Sequence, residues 1–184
     1  MHALWVVTFA GPDRPGIVES ISSLIARAGG NWEASRMARL AGRFTGVLQI
    51  RLPVDRENEV VAALRALSGT GLEVMVERGR SEEPRPDLRT LRIDLTGDDR
   101  PGIVHDVSRI LSARGVNIEE LTTQVIAAPM SGGLLFQAVA EIRCPREVDL
   151  DELLAALEQL ADDLVVDLTL EDTTNTPHPA PIRG

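Results

Sequence analysis

Gly11-Pro12-Asp13-Arg14-Pro15-Gly16-Ile17-Val18 occurs a second time in this chain, as Gly97-Asp98-Asp99-Arg100-Pro101-Gly102-Ile103-Val104. All positions but one are identical, at an offset of 97 − 11 = 86. At that offset Ile21 meets Val107, Leu24 meets Ile110 and Ile25 meets Leu111. Gly29, Asn31 and Glu33 meet Gly115, Asn117 and Glu119. Identity continued by like-for-like apolar positions marks a duplicated module. Phe44 to Pro53 matches Phe136 to Pro145 at an offset of 145 − 53 = 92, so the second copy carries 92 − 86 = 6 extra residues around Ala127 to Gly133. Such an insertion reads as a hairpin loop, or as a cover for a pocket or a partner contact.

Working outward from the motif, residues 3–10 are apolar with β-branched content and predict a strand. In the second copy Leu91, Ile93 and Leu95 alternate with Arg92, Asp94 and Thr96, the two-residue period of a strand with one buried face. After the motif, Ile17, Ile21, Leu24, Ile25 and Ala28 recur at helical spacing, so a helix starts near Pro15 or Gly16. Pro fits a first helical position, where its missing N–H would be unbonded anyway. Gly29-Gly30, and Gly115 in the second copy, stop the helix. Residues 31–40 predict a second strand, Ala41-Gly42-Arg43 a hairpin turn, and Phe44 to Leu52 a third strand ended by Pro53. Asp55 is the expected N-cap of a helix that places Val60, Val61, Leu64 and Leu67 on one face. Leu72 to Glu77 predicts the closing strand. The second copy repeats this with strands near 116–127 and 134–143, a helix near 149–161 and a last strand near 164–171. Asp149, Asp151 and Glu152 suit the positive end of that helix dipole.

The order βαββαβ, twice over, predicts an α+β chain of two ferredoxin-like modules, each an antiparallel sheet with both helices on one face. The expected divisions are 1–79 for the first module, 80–89 for a polar, Pro-containing linker, 90–171 for the second module, and 172–184 for a disordered tail rich in Thr, Pro and Asn.

Composition narrows the function classes. The net charge is −9, and all 19 basic residues are Arg. A direct nucleic-acid binder needs a basic face to displace counterions, so no direct nucleic-acid contact is expected. No apolar run is long enough to span a membrane and no leader pattern stands at Met1 to Phe9, so a cytoplasmic, membrane-free protein is expected. Cys144 is the single cysteine, expected to be a buried inert thiol. His2, His105 and His178 do not cluster, and neither metal ligation nor a cofactor motif is apparent.

The repeated loop is where chemistry is expected. Unpaired N–H groups at a helix start attract an anion such as a carboxylate. Gly16 and Gly102 allow a ligand close to the backbone. Asp13 and Asp99 are placed either to cap the helix or to accept bonds from an ammonium group. Donors for a carboxylate beside an acceptor for an amine match an amino acid. The plainer reading stands beside this one: Asp-x-Pro-Gly is also an ordinary turn and helix-start sequence. Equally, Arg14 and Arg100 read as solvent-facing, Asn31 and Asn117 as turn residues, His105-Asp106 as a solvated helix pair, and Trp5 and Trp32 as core or interface.

Asp-Arg-Pro-Gly-Ile-Val, then a helix, then Gly30-Asn31-Trp32-Glu33 or Gly115-Val116-Asn117-Ile118-Glu119, resembles the ACT domain. The resemblance is to the tandem-ACT proteins of the glycine cleavage system transcriptional repressor family, and it covers about 170 residues. It implies an amino-acid ligand, glycine or serine favoured, held at the loop after the first strand and by the Asn of the second strand, at an interface between two modules. The site residues it implies are Asp13, Arg14, Pro15, Gly16, Ile17 and Asn31, with Asp99, Arg100, Pro101, Gly102, Ile103 and Asn117 in the second copy. The expected function is a regulatory sensor that modulates amino-acid metabolism or its transcription through a protein partner such as a transcription regulator, as a homodimer. The alternatives are a regulatory subunit of a separate enzyme and a ligand-free dimerisation module. An enzyme is not expected, since two modules and a linker leave only the 13 residues 172–184 and no nucleophile–base pair is seen.

Overall fold

A computed structural model describes residues 1–80, 87–127, 133–160 and, as backbone with only Val165's side chain, 165–170. The six-residue insertion and the tail 172–184 lie outside these, apart from Ala127 and Gly133 at the insertion's ends. The chain divides into two compact units, 1–83 and 84–184.

The first module runs β1 (His2–Pro12), α1 (Ile17–Arg27), β2 (Asn31–Leu40), β3 (Arg43–Pro53), α2 (Glu57–Ala66), a 3-10 turn (Leu67–Thr70) and β4 (Glu73–Arg78). The second runs β5 (Leu88–Asp98), α3 (Ile103–Ala113), β6 (Asn117–Ala127), β7 (Leu134–Pro145), α4 (Leu150–Glu158) and β8 (Val165–Leu170). The sheets are antiparallel with strand orders β2-β3-β1-β4 and β6-β7-β5-β8. This is the split βαβ arrangement that the repeat predicted, with β3 and β7 inserted between the strands of each βαβ unit.

Alternation decides which face is covered. In β1 Val7 and Phe9 are buried, and in β3 Leu48, Ile50 and Leu52. They meet Ile17, Ile21 and Ile25 of α1 and Val60, Val61 and Leu64 of α2 in one core. Leu91, Ile93, Leu95, Ile142 and Cys144 do the same for the second sheet against Ile103, Ile110, Leu111, Leu153 and Leu157. Cys144 is a fully buried free thiol, as expected of it.

Two local expectations are corrected. Asp55 does not cap α2. The helix begins at Glu57 with Arg56 in the cap position and no side-chain cap, because a turn over Pro53–Arg56 leaves Asp55 one residue too early. The hairpin between β2 and β3 is Ala41-Gly42 alone, both at positive φ (48° and 76°), with Arg43 already in the strand. That is the two-residue turn whose twist matches the strands it joins.

Candidate ligand-binding site

Both copies of the motif build the same loop. β1 ends at Pro12 and α1 begins at Ile17; β5 ends at Asp98 and α3 begins at Ile103. The cap residues are Gly16 and Gly102, at φ 92° and 88°, where any side chain would strain the backbone. A Cβ built on either would meet nothing within 4 Å, so the approach to both helix starts is open. Neither helix has a side-chain cap. This corrects one of the two readings of Asp13 and Asp99: they stand three residues before the cap glycine and do not cap. The backbone N–H of Asp13 donates instead to Gly42 O, 3.0 Å away, and that of Asp99 to Leu134 O at 2.9 Å, so each loop is stitched to the β2–β3 or β6–β7 end of its sheet.

The arginines reach across the module. Arg14 Nη2 donates to Thr70 O and Oγ1, both at 3.3 Å, at the end of the 3-10 turn after α2. Arg100 Nη1 donates to Asp106 at 2.9 Å and its Nη2 to Leu160 O at 3.4 Å, beyond α4. The Arg of the motif thus tethers the loop to the far end of the second helix, a contact that its sequence spacing does not signal. Asp106 is engaged by Arg100 in a part-buried ion pair. Pro15 and Pro101 are exposed at the loop, while Ile17 and Ile103 are buried as the first core residues of their helices.

The two asparagines lie elsewhere in their modules. Asn31 pairs with Arg51, which pairs with Leu4 near the start of β1. Pro12, at the loop, is 12 − 4 = 8 residues further along, roughly 26 Å at about 3.3 Å per residue. Asn117 pairs with Arg143 in the same way. No module brings its own Asn to its own loop. What gathers at the asparagine end is an ion pair at a β-bulge. Glu33, between Trp32 and Ala34, accepts from Arg51 Nε at 2.5 Å and Gln49 Nε2 at 2.8 Å. The Arg51 bond, helped by that from Gln49, holds the Glu33 carboxyl below the usual carboxylate range. In the second module Glu119 sits at the matching bulge, 3.4 Å from Arg143, and Asn117 Nδ2 donates to it. The repeated Asn-x-Glu, visible in the sequence, is in part a bulge signature.

The modules differ around the loop. Arg39 Nε lies 2.7 Å from the Asp13 carboxylate. Its counterpart at the 86-residue offset is Val125, and among the described residues no side chain bonds Asp99. Among these residues there is also no cluster of three or more His, Cys, Asp or Glu able to hold a metal, and no helix long and apolar enough to cross a membrane.

Comparison with known proteins agrees with the fold. The model of the ACT domain matches residues 3–77 and again 89–171. The glycine cleavage system transcriptional repressor of Escherichia coli is 25% identical over 161 residues, covering 86% of this chain and 84% of the relative, and that of Shigella flexneri matches equally. The crystal structure of an unknown protein from Galdieria sulphuraria superimposes with a TM-score of 0.82 at 29% identity, covering 94% of this chain and all of the other. A putative glycine cleavage system transcriptional repressor shares the fold, with a TM-score of 0.66 at 22% identity over 93% of this chain and 99% of the other. With one match on each unit, the chain belongs to the ACT domain family as a tandem of two ACT domains.

Proposed function

We propose that this protein is a regulatory amino-acid sensor without catalytic activity of its own. The observation that carries the reading is the loop. In a chain of the ACT family, an uncapped helix start stands open above a glycine with no neighbour at its Cβ position, beside an aspartate placed before the helix. Free N–H groups and the helix dipole suit a carboxylate there, and the aspartate suits an ammonium group. Pro101, Gly102 and Ile103, with Pro15, Gly16 and Ile17 in the first module, shape the approach, and Arg100 and Arg14 fix the loop's position. A bound amino acid favours the conformation it binds more tightly, by as much as its affinity differs between states. The repressor named among the relatives supports an output on transcription. With a net charge of −9 that output passes through a protein partner and not through direct contact with nucleic acid. The place of action that goes with this reading is the cytoplasm. β2, β4, β6 and β8 are sheet edges, so a homodimer joined edge to edge is the assembly proposed.

The test is thermal unfolding of the purified chain with each of the twenty amino acids at millimolar concentration. A ligand at about 100 times its dissociation constant adds roughly 2.7 kcal/mol, a shift of several degrees. Gly102→Leu places a side chain over the helix start and removes that shift. A cooperative transition that no amino acid moves overturns the sensor reading.

A further inference from the structure

The two sheets are built alike and differ on the face turned away from their helices. β1 turns Val7 and Phe9 toward α1 and α2, so Val6 and Thr8 point the other way. At the 86-residue offset β5 has Arg92 and Asp94 in those places, bonded to each other at 2.7 and 3.0 Å. The register sets Val47 of β3 and Met75 of β4 on either side of Thr8. They are 41% and 53% exposed. In the second sheet the place of Met75 belongs to Asp167, opposite Asp94. A solvated face of an antiparallel sheet is ordinarily polar, as the second one is. The first one carries a contiguous apolar patch, which marks a contact surface.

The charges around the patch point to what covers it. On β2 the register sets Arg36 beside Val47. On β4, at the opposite edge, Glu73 and Glu77 flank Met75 on the same face. Between β1 and β4 the face sinks into an open depression of about 260 Å³, walled by Thr8, Ala10, Glu73 and Met75 among others. Glu73 takes a long contact of 3.5 Å from Arg43, and both side chains are more than half exposed, so its carboxylate has room for a second donor. One edge of the face thus offers a cation, the other two carboxylates, and the middle is apolar. Turned over by half a turn about an axis parallel to the strands, such a face matches itself. β3 then lies on β1, β2 lies on β4, and Arg36 enters the depression between Glu73 and Glu77 of the second copy. Four strands at about 4.8 Å and a length of about eight residues at about 3.3 Å give a plane of about 500 Å² per copy. A pair of such faces buries about 1,000 Å², enough for a specific interface.

We propose that this face of the first module is an interface between two copies of the chain, related by a two-fold axis along the strands. The same patch serves on both copies, so the contact closes at two. The proposal does not rest on the sensor reading. It is also separate from the edge pairing proposed above, since stacking two faces leaves the strand edges open. With both contacts made the chain is a tetramer; with this one alone it is a dimer.

The experiment is light scattering of the full chain over a range of micromolar concentrations. Val6→Arg together with Thr8→Asp gives the first face the pair that the second module carries on the equivalent strand. This double change is expected to weaken association at least about tenfold and to halve the mass. Charge reversal tests the axis. Arg36→Glu in one chain, and Glu73→Arg with Glu77→Arg in another, each set like charges against each other and dissociate their own pairs. Mixed one to one, the two variants associate again, because each supplies the charge that the other lost. A tetramer that Val6→Arg with Thr8→Asp cuts to a dimer supports this contact beside the edge pairing. A dimer cut to a monomer supports this contact and overturns the edge pairing. A mass unmoved by that double change overturns the proposal, as does an unaltered chain that is monomeric throughout. Reversal variants that dissociate and do not recombine on mixing overturn it as well.

Discussion

The second helices of the two modules, α2 and α4, occupy equivalent places and are secured differently. α2 starts without a side-chain cap and buries a carboxylate in its first turn. Glu57 accepts from Trp5 Nε1 at 3.1 Å and lies 3.6 Å from Arg78, whose guanidinium also stands 5.7 Å from the centre of the Trp5 ring. α4 starts with Asp149 accepting from the N–H groups of Asp151 and Glu152, at 2.9 and 3.2 Å, and the positions of Trp5 and Glu57 are Leu91 and Leu150. One backbone therefore supports two solutions: a polar knot with a bare helix start, and an apolar contact with a capped one. A knot of this kind is stable only while every member keeps its partner, whereas an apolar contact degrades gradually.

The largest test asks whether the two cores are equivalent beneath these differences. Leu64 and Leu157 hold the same place on α2 and α4 and are both fully buried. Each change to Ala is expected to cost about 2–5 kcal/mol in urea unfolding. A loss well below that for one of them would show a core that collapses around the gap and would break the symmetry. Next, Glu57→Ala leaves the Trp5 N–H without its partner and is expected to cost about 1–3 kcal/mol. The double change Trp5→Leu with Glu57→Leu transplants the second module's solution and recovers most of that loss. If it recovers nothing, the two solutions are not interchangeable. Third, Asp149→Ala removes a cap and costs about 1 kcal/mol, while Asp55→Ala, which caps nothing, stays within about 0.5 kcal/mol. Equal losses would return Asp55 to the role its sequence position suggests.

The smallest effect is one of pH. Glu33 has a folded pKa below its ordinary value through its bonds to Arg51 and Gln49. Its contribution is therefore present above the ordinary carboxylate range and is lost as pH falls through the lowered folded value. Side-chain NMR titration should show Glu33 titrating at lower pH than an unpaired glutamate. Arg51→Ala should return it to the ordinary range, and a Glu33 midpoint unmoved by that change would sink the assignment.

The fold was readable because duplication turned weak local signals into paired ones. A single apolar run at 3–10 is ambiguous; the same run followed by the same loop 86 residues later is not. The motif also located the open helix start, since Pro and Gly act through the backbone and their effect is local. What sequence did not reveal depends on contacts between distant positions. Arg14 meets Thr70, Arg39 meets Asp13, and Asn31 lies at the far end of the sheet from the loop that the resemblance grouped it with. Asp55 was misjudged because an acceptable cap residue one position early looks the same in sequence as one in place.

The bulge at Glu33 and Glu119 acts on its strand as a frameshift acts on a message. Before it, even-numbered Trp32 and Ile118 read inward; after it the odd positions do, among them Met37 and Arg39 in one module and Leu121, Thr123 and Val125 in the other. Arg39, which pairs with Asp13, and its counterpart Val125 both lie downstream of that shift. Deleting Glu119 alone would leave that register in place as a regular pleat, with Glu120 still opposite Glu141 and Leu121, Thr123 and Val125 still on the core face: the bulge is an added letter that the rest of the strand is already read around.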